Sequence, residues 1–177
     1  MLFRSRALWF AQQLWDEYTE GSEPFISGSV VHIGADEYWD HNTAGIKDAF
    51  AEFADSLRKV IQGNLGEATK IRMWGAGTGM FSTAENVLDD VDIQANYQLD
   101  VWHHGYEDAK ARAAEGYEII NCRDAFMYGN PGRTNRDVPN AEFVYNEWNP
   151  AMFQDGAPGT GTNPLLGEPN LMGAKTV

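Results

Sequence analysis

The sequence predicts an α/β fold of parallel strand–helix units, and three observations carry that reading. Short apolar, strand-like runs alternate with stretches of helical periodicity, the connections between them are short, and acidic or aromatic residues fall at the exits of the runs. Taken in order, Phe3, Ala7, Phe10, Leu14 and Tyr18 recur at three- and four-residue steps. Residues 2–18 are therefore expected to form an amphipathic helix that ends near Gly21 and Pro24. Val30, Val31, His32 and Ile33 form a β-branched run stopped by Gly34. Asn42 or Thr43 is the expected N-cap of a second helix, with Ile46, Phe50, Phe53, Leu57 and Val60 on one face and Gly63 and Asn64 closing it. Lys70 to Trp74 reads as a strand running into Gly75, Gly77 and Gly79. Residues 96–102 (NYQLDVW) give another, followed by a helix over 106–115 that Gly116 can terminate and a strand over 117–122 (YEIINC). Beyond about residue 123 the periodicity stops in a stretch rich in Gly, Pro and Asn, and Leu165 to Val177 regains apolar character.

Composition narrows the function. The 177 residues carry 13 Lys and Arg against 26 Asp and Glu, a net charge of −13. Such a chain repels phosphate backbones and offers no basic cluster to displace their counterions, so a nucleic-acid partner is not expected. Hydrophobic residues at 43% suffice for a packed core. No apolar run approaches the roughly 20 residues of a membrane span. Residues 1–13 have no apolar signal-peptide core. A single cysteine, Cys122, excludes an internal disulfide, and its place at the end of an apolar run suits a small buried hydrophobe.

Several chemical motifs fail on spacing. GAGTGM at 75–80 is the nearest approach to a dinucleotide-binding glycine pattern and does not match it, and no Walker phosphate loop is present. His103 and His104 beside Asp100 lack a convergent zinc spacing, and Asp89, Asp90 and Asp92 lack the glycine and closing glutamate of a calcium loop. No metal or other cofactor is expected. The densest cluster is HIGADEYWD at 32–40, where an apolar strand delivers two adjacent carboxylates, Asp36 and Glu37, at its exit. Adjacent residues of a strand point to opposite faces, so these two can share a pocket only where the strand gives way to a loop. In a chain with 26 acidic residues such a pair also arises by chance, in a solvated turn. What marks this pair is its place among strand exits that also carry Trp74, Trp102 and, a little past the next strand, Tyr128. In a β/α barrel that rim is where chemistry is done.

HIGADEYW resembles the signature of glycoside hydrolase family 20, the β-N-acetylhexosaminidases and lacto-N-biosidases, whose usual form is His-(Ile/Leu)-Gly-Gly-Asp-Glu. KIRMWG at 70–75, the segment 99–121 and PLLGEPNLMGAKTV at 164–177 resemble, in order, that family's later barrel strands. Ala35 stands where the second Gly is commoner. The resemblance implies a partial (β/α)8 TIM barrel, roughly strands four to eight, with a long irregular loop before the last strand. It makes residues 1–177 one partial catalytic domain that lacks strands one to three and the end of strand eight, and the family's third pocket tryptophan would follow Val177.

The roles it implies are specific. Asp36 would hold and polarise the substrate's 2-acetamido group, and Glu37 would be the general acid/base. Trp74 and Trp102 would wall the acetamido pocket, Tyr128 would donate a hydrogen bond to the acetamido carbonyl, and His32 would be a buried supporting residue near the acid pair. The implied reaction is hydrolysis of terminal β-linked N-acetylglucosamine or N-acetylgalactosamine, with the substrate's own amide closing to an oxazolinium ion in place of an enzyme nucleophile. The partner is then an N-acetylated oligosaccharide or glycoconjugate, and the family setting is secreted or bacterial cell-surface, or lysosomal in animals. Two other readings are release of a disaccharide such as lacto-N-biose and a non-catalytic carbohydrate-binding barrel, which has no need of Glu37. A conventional two-carboxylate glycosidase would need a further acid, for which Glu142 and Glu147 are the nearby candidates. Tyr145 and Trp148 could face substrate or anchor the long loop.

Overall fold

The computed structural model describes residues 2–21, 28–35, 45–75, 95–102, 109–123, 141–153 and 171–174. In chain order these form α1 (Leu2–Thr19), β1 (Val30–His32), α2 (Ile46–Leu65), β2 (Lys70–Trp74), β3 (Tyr97–Val101), α3 (Ala109–Ala114), β4 (Glu118–Asn121), α4 (Ala141–Asn146) and β5 (Leu171–Ala174). The strands make one sheet in the order β1-β2-β3-β4-β5, and every pair is parallel. A doubly wound sheet reverses direction at a switch point. Here each strand is added on the same side as the last, which is how the wall of a β/α barrel is laid down. Five parallel strands among the described residues are consistent with part of such a barrel.

The sheet has two unlike faces, set by residue parity along the strands. Val31, Ile71, Met73, Tyr97, Leu99, Val101 and Ile119 are buried in one apolar cluster with Ala54 and Ile61 of α2. The other parity is polar. His32, Arg72, Gln98 and Glu118 are register partners across four strands. Arg72 donates from Nε and Nη2 to Gln98 Oε1 (3.0 and 2.6 Å), and Gln98 Nε2 donates to Glu118 Oε2 (2.7 Å). Lys70 Nζ stands 3.4 Å from Glu118 Oε1 at the edge of the row. A row of hydrogen-bonded side chains thus crosses a sheet whose opposite face is oily.

Helix α2 is tied down at its end by Gln62. Its Nε2 donates to Thr69 O (2.8 Å) and Asn96 Oδ1 (2.9 Å), while its Oε1 accepts from Arg58 Nη1 (2.8 Å). One amide therefore joins the helix to the entrances of β2 and β3. The expected helix boundaries shift here. α2 runs through Gly63 and Asn64 and stops at Gly66, whose φ of +107° suits only glycine and whose N–H returns to Gln62 O. Asn64 is used differently, donating to Asp16 Oδ1 and Thr19 Oγ1 of α1. The N-cap is Gly45, with no side-chain cap bond, while Asn42 and Thr43 lie outside the described residues.

The α1 stripe also differs from expectation. Phe10, Leu14 and Tyr18 are exposed, together with Trp9, and Trp15 and the buried Thr19 face the core instead. Helix α1 carries apolar residues on more than one side, so its periodicity admits two stripes, and the bond network to Asn64 is made from the side of Asp16 and Thr19. α4, a short helix that packs its own Phe143 against Val144, Trp148 and Met152, falls within the stretch read as irregular.

Replacing Gln62 by Leu should lower stability by about 1–3 kcal/mol in urea unfolding, because buried backbone groups then lose their partner. A second check uses pH. Burial alone would raise the Asp55 carboxyl, but hydrogen bonds from Lys59 and Arg58 outweigh it and hold the group below its ordinary value of 3.8. Its contribution is therefore present above that value and lost as pH falls through the lower folded one. Asp55→Asn should destabilise by at most about 1 kcal/mol at neutral pH, a difference that shrinks below about pH 4.

Candidate active site

The site is built outward from the exit of β1. His32 ends the strand on the polar face, and its ring is bound on both sides. Nε2 lies 3.1 Å from Asp100 Oδ2, and Nδ1 accepts the N–H of Gly34 at 3.0 Å. Because Nδ1 accepts, the ring proton sits on Nε2 and is donated to the carboxylate. Gly34 is held from its other side as well, its carbonyl accepting Trp74 N at 2.9 Å. The Trp74 indole meets the imidazole edge-on, with centroids 5.6 Å apart at 68°.

Beyond His32 the backbone turns left-handed at two consecutive positions, Gly34 (φ +78°) and Ala35 (φ +67°). Glycine enters this region freely, whereas an L side chain there costs roughly 1–2 kcal/mol. Ala35 offsets part of that by packing its methyl against the core cluster. The residue that departs from the usual glycine of the resembling signature is thus a strained one, directly before Asp36.

Asp100 is fully buried on the middle strand of the sheet. Besides His32, Arg72 Nε lies 4.0 Å from its Oδ1. Two residues on, by strand alternation on the same face, comes Trp102, half-buried just past the end of β3. Its carbonyl accepts Arg123 Nη1 at 3.4 Å, and Arg123 is itself buried, so a cation links the exits of β3 and β4. Asn121, at the end of β4, uses both amide hydrogens on Pro150 O (2.9 Å) and Met152 O (2.7 Å), and its Oδ1 accepts Arg123 N (3.0 Å). The segment carrying α4 is thereby pinned to the strand-exit end of the sheet.

His32 and Trp74 are therefore in contact, with Trp102 one strand along on the same rim. His32 is less covered than expected, its side chain 30% exposed. Asp36, Glu37 and Tyr128 lie outside the described residues, as do His103, His104, Asp89, Asp90 and Asp92. Trp148 packs with Phe143 and Met152, whereas Tyr145 is 89% exposed. Glu142 and Glu147 are exposed on α4 and the turn after it. Cys122 is buried and takes part in no disulfide, as its position suggested. Asp100, weighed in sequence only as a metal ligand, is committed to His32, and among the described residues no cluster of three metal-ligating side chains occurs. Arg72, Arg123 and Asn121 did not stand out in the sequence. Arg72 shares the parity of Lys70 and Trp74, which separates it from Ile71 and Met73, and that alternation is the signal that could have found it. Among the described residues no helix is long and apolar enough to cross a membrane.

No family model and no curated protein matches this chain. Solved structures do. A structure of the tandem glycoside hydrolase family 20 catalytic modules of the pneumococcal exo-β-D-N-acetylglucosaminidase StrH aligns with 84% of this chain and 36% of its own, at TM-score 0.50 and 16% identity. Another, of the pneumococcal virulence factor StrH studied for N-glycan recognition and hydrolysis, aligns with 96% of this chain and 40% of its own, at TM-score 0.55 and 14% identity. The chain thus spans less than half the length of the structures it resembles. At these identities the likeness is one of fold.

At Gly34 a Cβ would meet nothing within 4 Å, so Gly34→Ala tests the backbone alone. It should cost roughly 1–2 kcal/mol in a urea midpoint comparison, without loss of packing.

Proposed function

We propose that this chain forms part of a catalytic barrel that hydrolyses β-linked N-acetylhexosamine residues from glycans with the substrate's own acetamido group as nucleophile. The observation that carries the reading is the juxtaposition at one rim: Trp74 and Trp102 at the exits of adjacent parallel strands, and beside them the exit of β1 that leads into Asp36 and Glu37. Breaking a glycosidic bond requires a proton for the leaving oxygen and stabilisation of an oxocarbenium-like centre. Most retaining enzymes supply a second carboxylate as nucleophile, and substrate-assisted families use the amide oxygen already attached to the sugar. Such a nucleophile needs orientation more than activation, since intramolecular attack carries a large entropic advantage.

In this reading Glu37 protonates the leaving oxygen and later removes a proton from water. Asp36 accepts the acetamido N–H and stabilises the positive charge that develops as the oxazolinium ring closes. Tyr128 donates to the acetamido oxygen. The indoles of Trp74 and Trp102 flank the methyl group and exclude water, an apolar duty with a defined shape. His32 supports Trp74 and the turn before Asp36 from behind. The setting proposed is the cell surface or the secreted medium, where N-acetylated glycans are met.

The test is release of nitrophenol from an aryl β-N-acetylglucosaminide and from the matching β-glucoside by the full protein, with Glu37→Gln and Asp36→Ala alongside. Turnover confined to the N-acetylated compound is expected, falling by at least about 100-fold in either variant. Equal turnover of the two glycosides would remove the acetamido group from the mechanism. If neither is cleaved and an oxazoline-mimicking thiazoline fails to bind, the assignment of Asp36 and Glu37 is overturned. Thiazoline binding without cleavage would instead favour a disaccharide-releasing enzyme or a non-catalytic binder.

A further inference from the structure

Asp100 is a fully buried carboxylate that the proposed chemistry does not use, and its contact with His32 leads back to the exit of β1. We propose that Asp100 is a positioning residue: by accepting the His32 Nε2 proton it commits Nδ1 to the Gly34 N–H and so sets the left-handed turn from which the chain enters Asp36 and Glu37.

The logic is tautomeric. A neutral imidazole has one donor and one acceptor. With its proton on Nδ1 it would place that N–H against the N–H of Gly34, two donors 3.0 Å apart, and leave a lone pair facing the Asp100 carboxylate at 3.1 Å. Both contacts reverse sign together, so the carboxylate on β3 selects the tautomer that accepts from Gly34. The consequence is felt where the backbone is least comfortable. Gly34 and Ala35 both hold positive φ, and the turn is clamped at Gly34 by His32 on the N–H and by Trp74 on the carbonyl. Arg72 Nε lies 4.0 Å from the other carboxylate oxygen. A residue two strands away from the β1 exit thereby controls the direction in which the chain leaves it. The functional half of this inference rests on the proposed roles of Asp36 and Glu37, and the tautomeric half does not.

Imidazole nitrogen NMR and amide hydrogen exchange on the 177-residue chain test it, using wild type, Asp100→Leu, His32→Asn, His32→Gln and the pair Asp100→Leu with His32→Asn. Wild-type His32 should carry its proton on Nε2, and Asp100→Leu should move it toward Nδ1. The Gly34 amide should then exchange about tenfold faster, with Ile71 and Leu99 unchanged. His32→Asn puts a carbonyl oxygen near the place of Nδ1 without needing Asp100, so adding Asp100→Leu to it should leave Gly34 exchange where it was. His32→Gln keeps a donor toward Asp100 and loses the acceptor, and should expose Gly34. A wild-type ring protonated on Nδ1, or Gly34 exchange indifferent to Asp100→Leu, overturns the proposal. If Asp100→Leu does not fold, the wild-type spectrum and His32→Gln decide it. Where the glycosidase assay shows turnover, Asp100→Leu should lower kcat with KM within about twofold, the mark of lost alignment with binding intact. Absent turnover in wild type counts against the proposed function, while the nitrogen spectrum still decides the role of Asp100.

Discussion

A carboxylate with none of its surface in water, Asp100, occupies the middle strand of a parallel sheet, and the polar face is organised around it. Removing such an ion from water costs several kcal/mol. Attraction to a guanidinium about 4 Å away recovers a similar amount at an effective dielectric of about 20. Arg72 donates its hydrogen bonds to Gln98 and stands 4.0 Å from Asp100 Oδ1, while Asp100 Oδ2 meets His32.

Stability comes from the other face. Ile71, Met73, Leu99, Val101 and Ile119 are buried, most of them completely, in one cluster with Ala54 and Ile61 of α2 and Ala109 of α3, and Gln62 locks α2 to the strand entrances. The helix-bearing face holds the sheet together while the opposite face holds side chains in place, and the division follows from alternation along each strand. It also explains why β3 is buried throughout although it carries Gln98 and Asp100: one side is covered by apolar packing and the other by its own hydrogen-bonded row.

Much of this was legible in the sequence. YQLDVW and KIRMW alternate apolar with polar or aromatic residues, so both the strands and their two faces could be read directly, and β2 matches its expected bounds. Helix ends were harder. Gly63 looks like a terminator in sequence, but a glycine ends a helix only where the backbone needs positive φ, and that need arises at Gly66. α1 misled for another reason: a helix apolar on several sides has no single stripe, and the choice was made by tertiary bonds from Asn64. Of the candidate site, the sequence singles out Trp74 and Trp102 by their place at strand exits, whereas the contact of Asp100 with His32 spans 68 positions that no local pattern encodes.

The strained pair Gly34 and Ala35 links these observations. A left-handed non-glycine residue persists only where its surroundings over-determine it. Here the surroundings are identifiable: the Ala35 methyl packs on the core, and Gly34 is gripped by an imidazole and by the backbone of the neighbouring strand. If that turn were free to relax, the chain beyond it could leave β1 in several directions. Two adjacent carboxylates serve one pocket only if a single direction is enforced, since along a regular strand they would diverge. The buried charge on β3, the ring on β1 and the indole on β2 therefore act as one clamp, and its object is the two peptide units that precede Asp36.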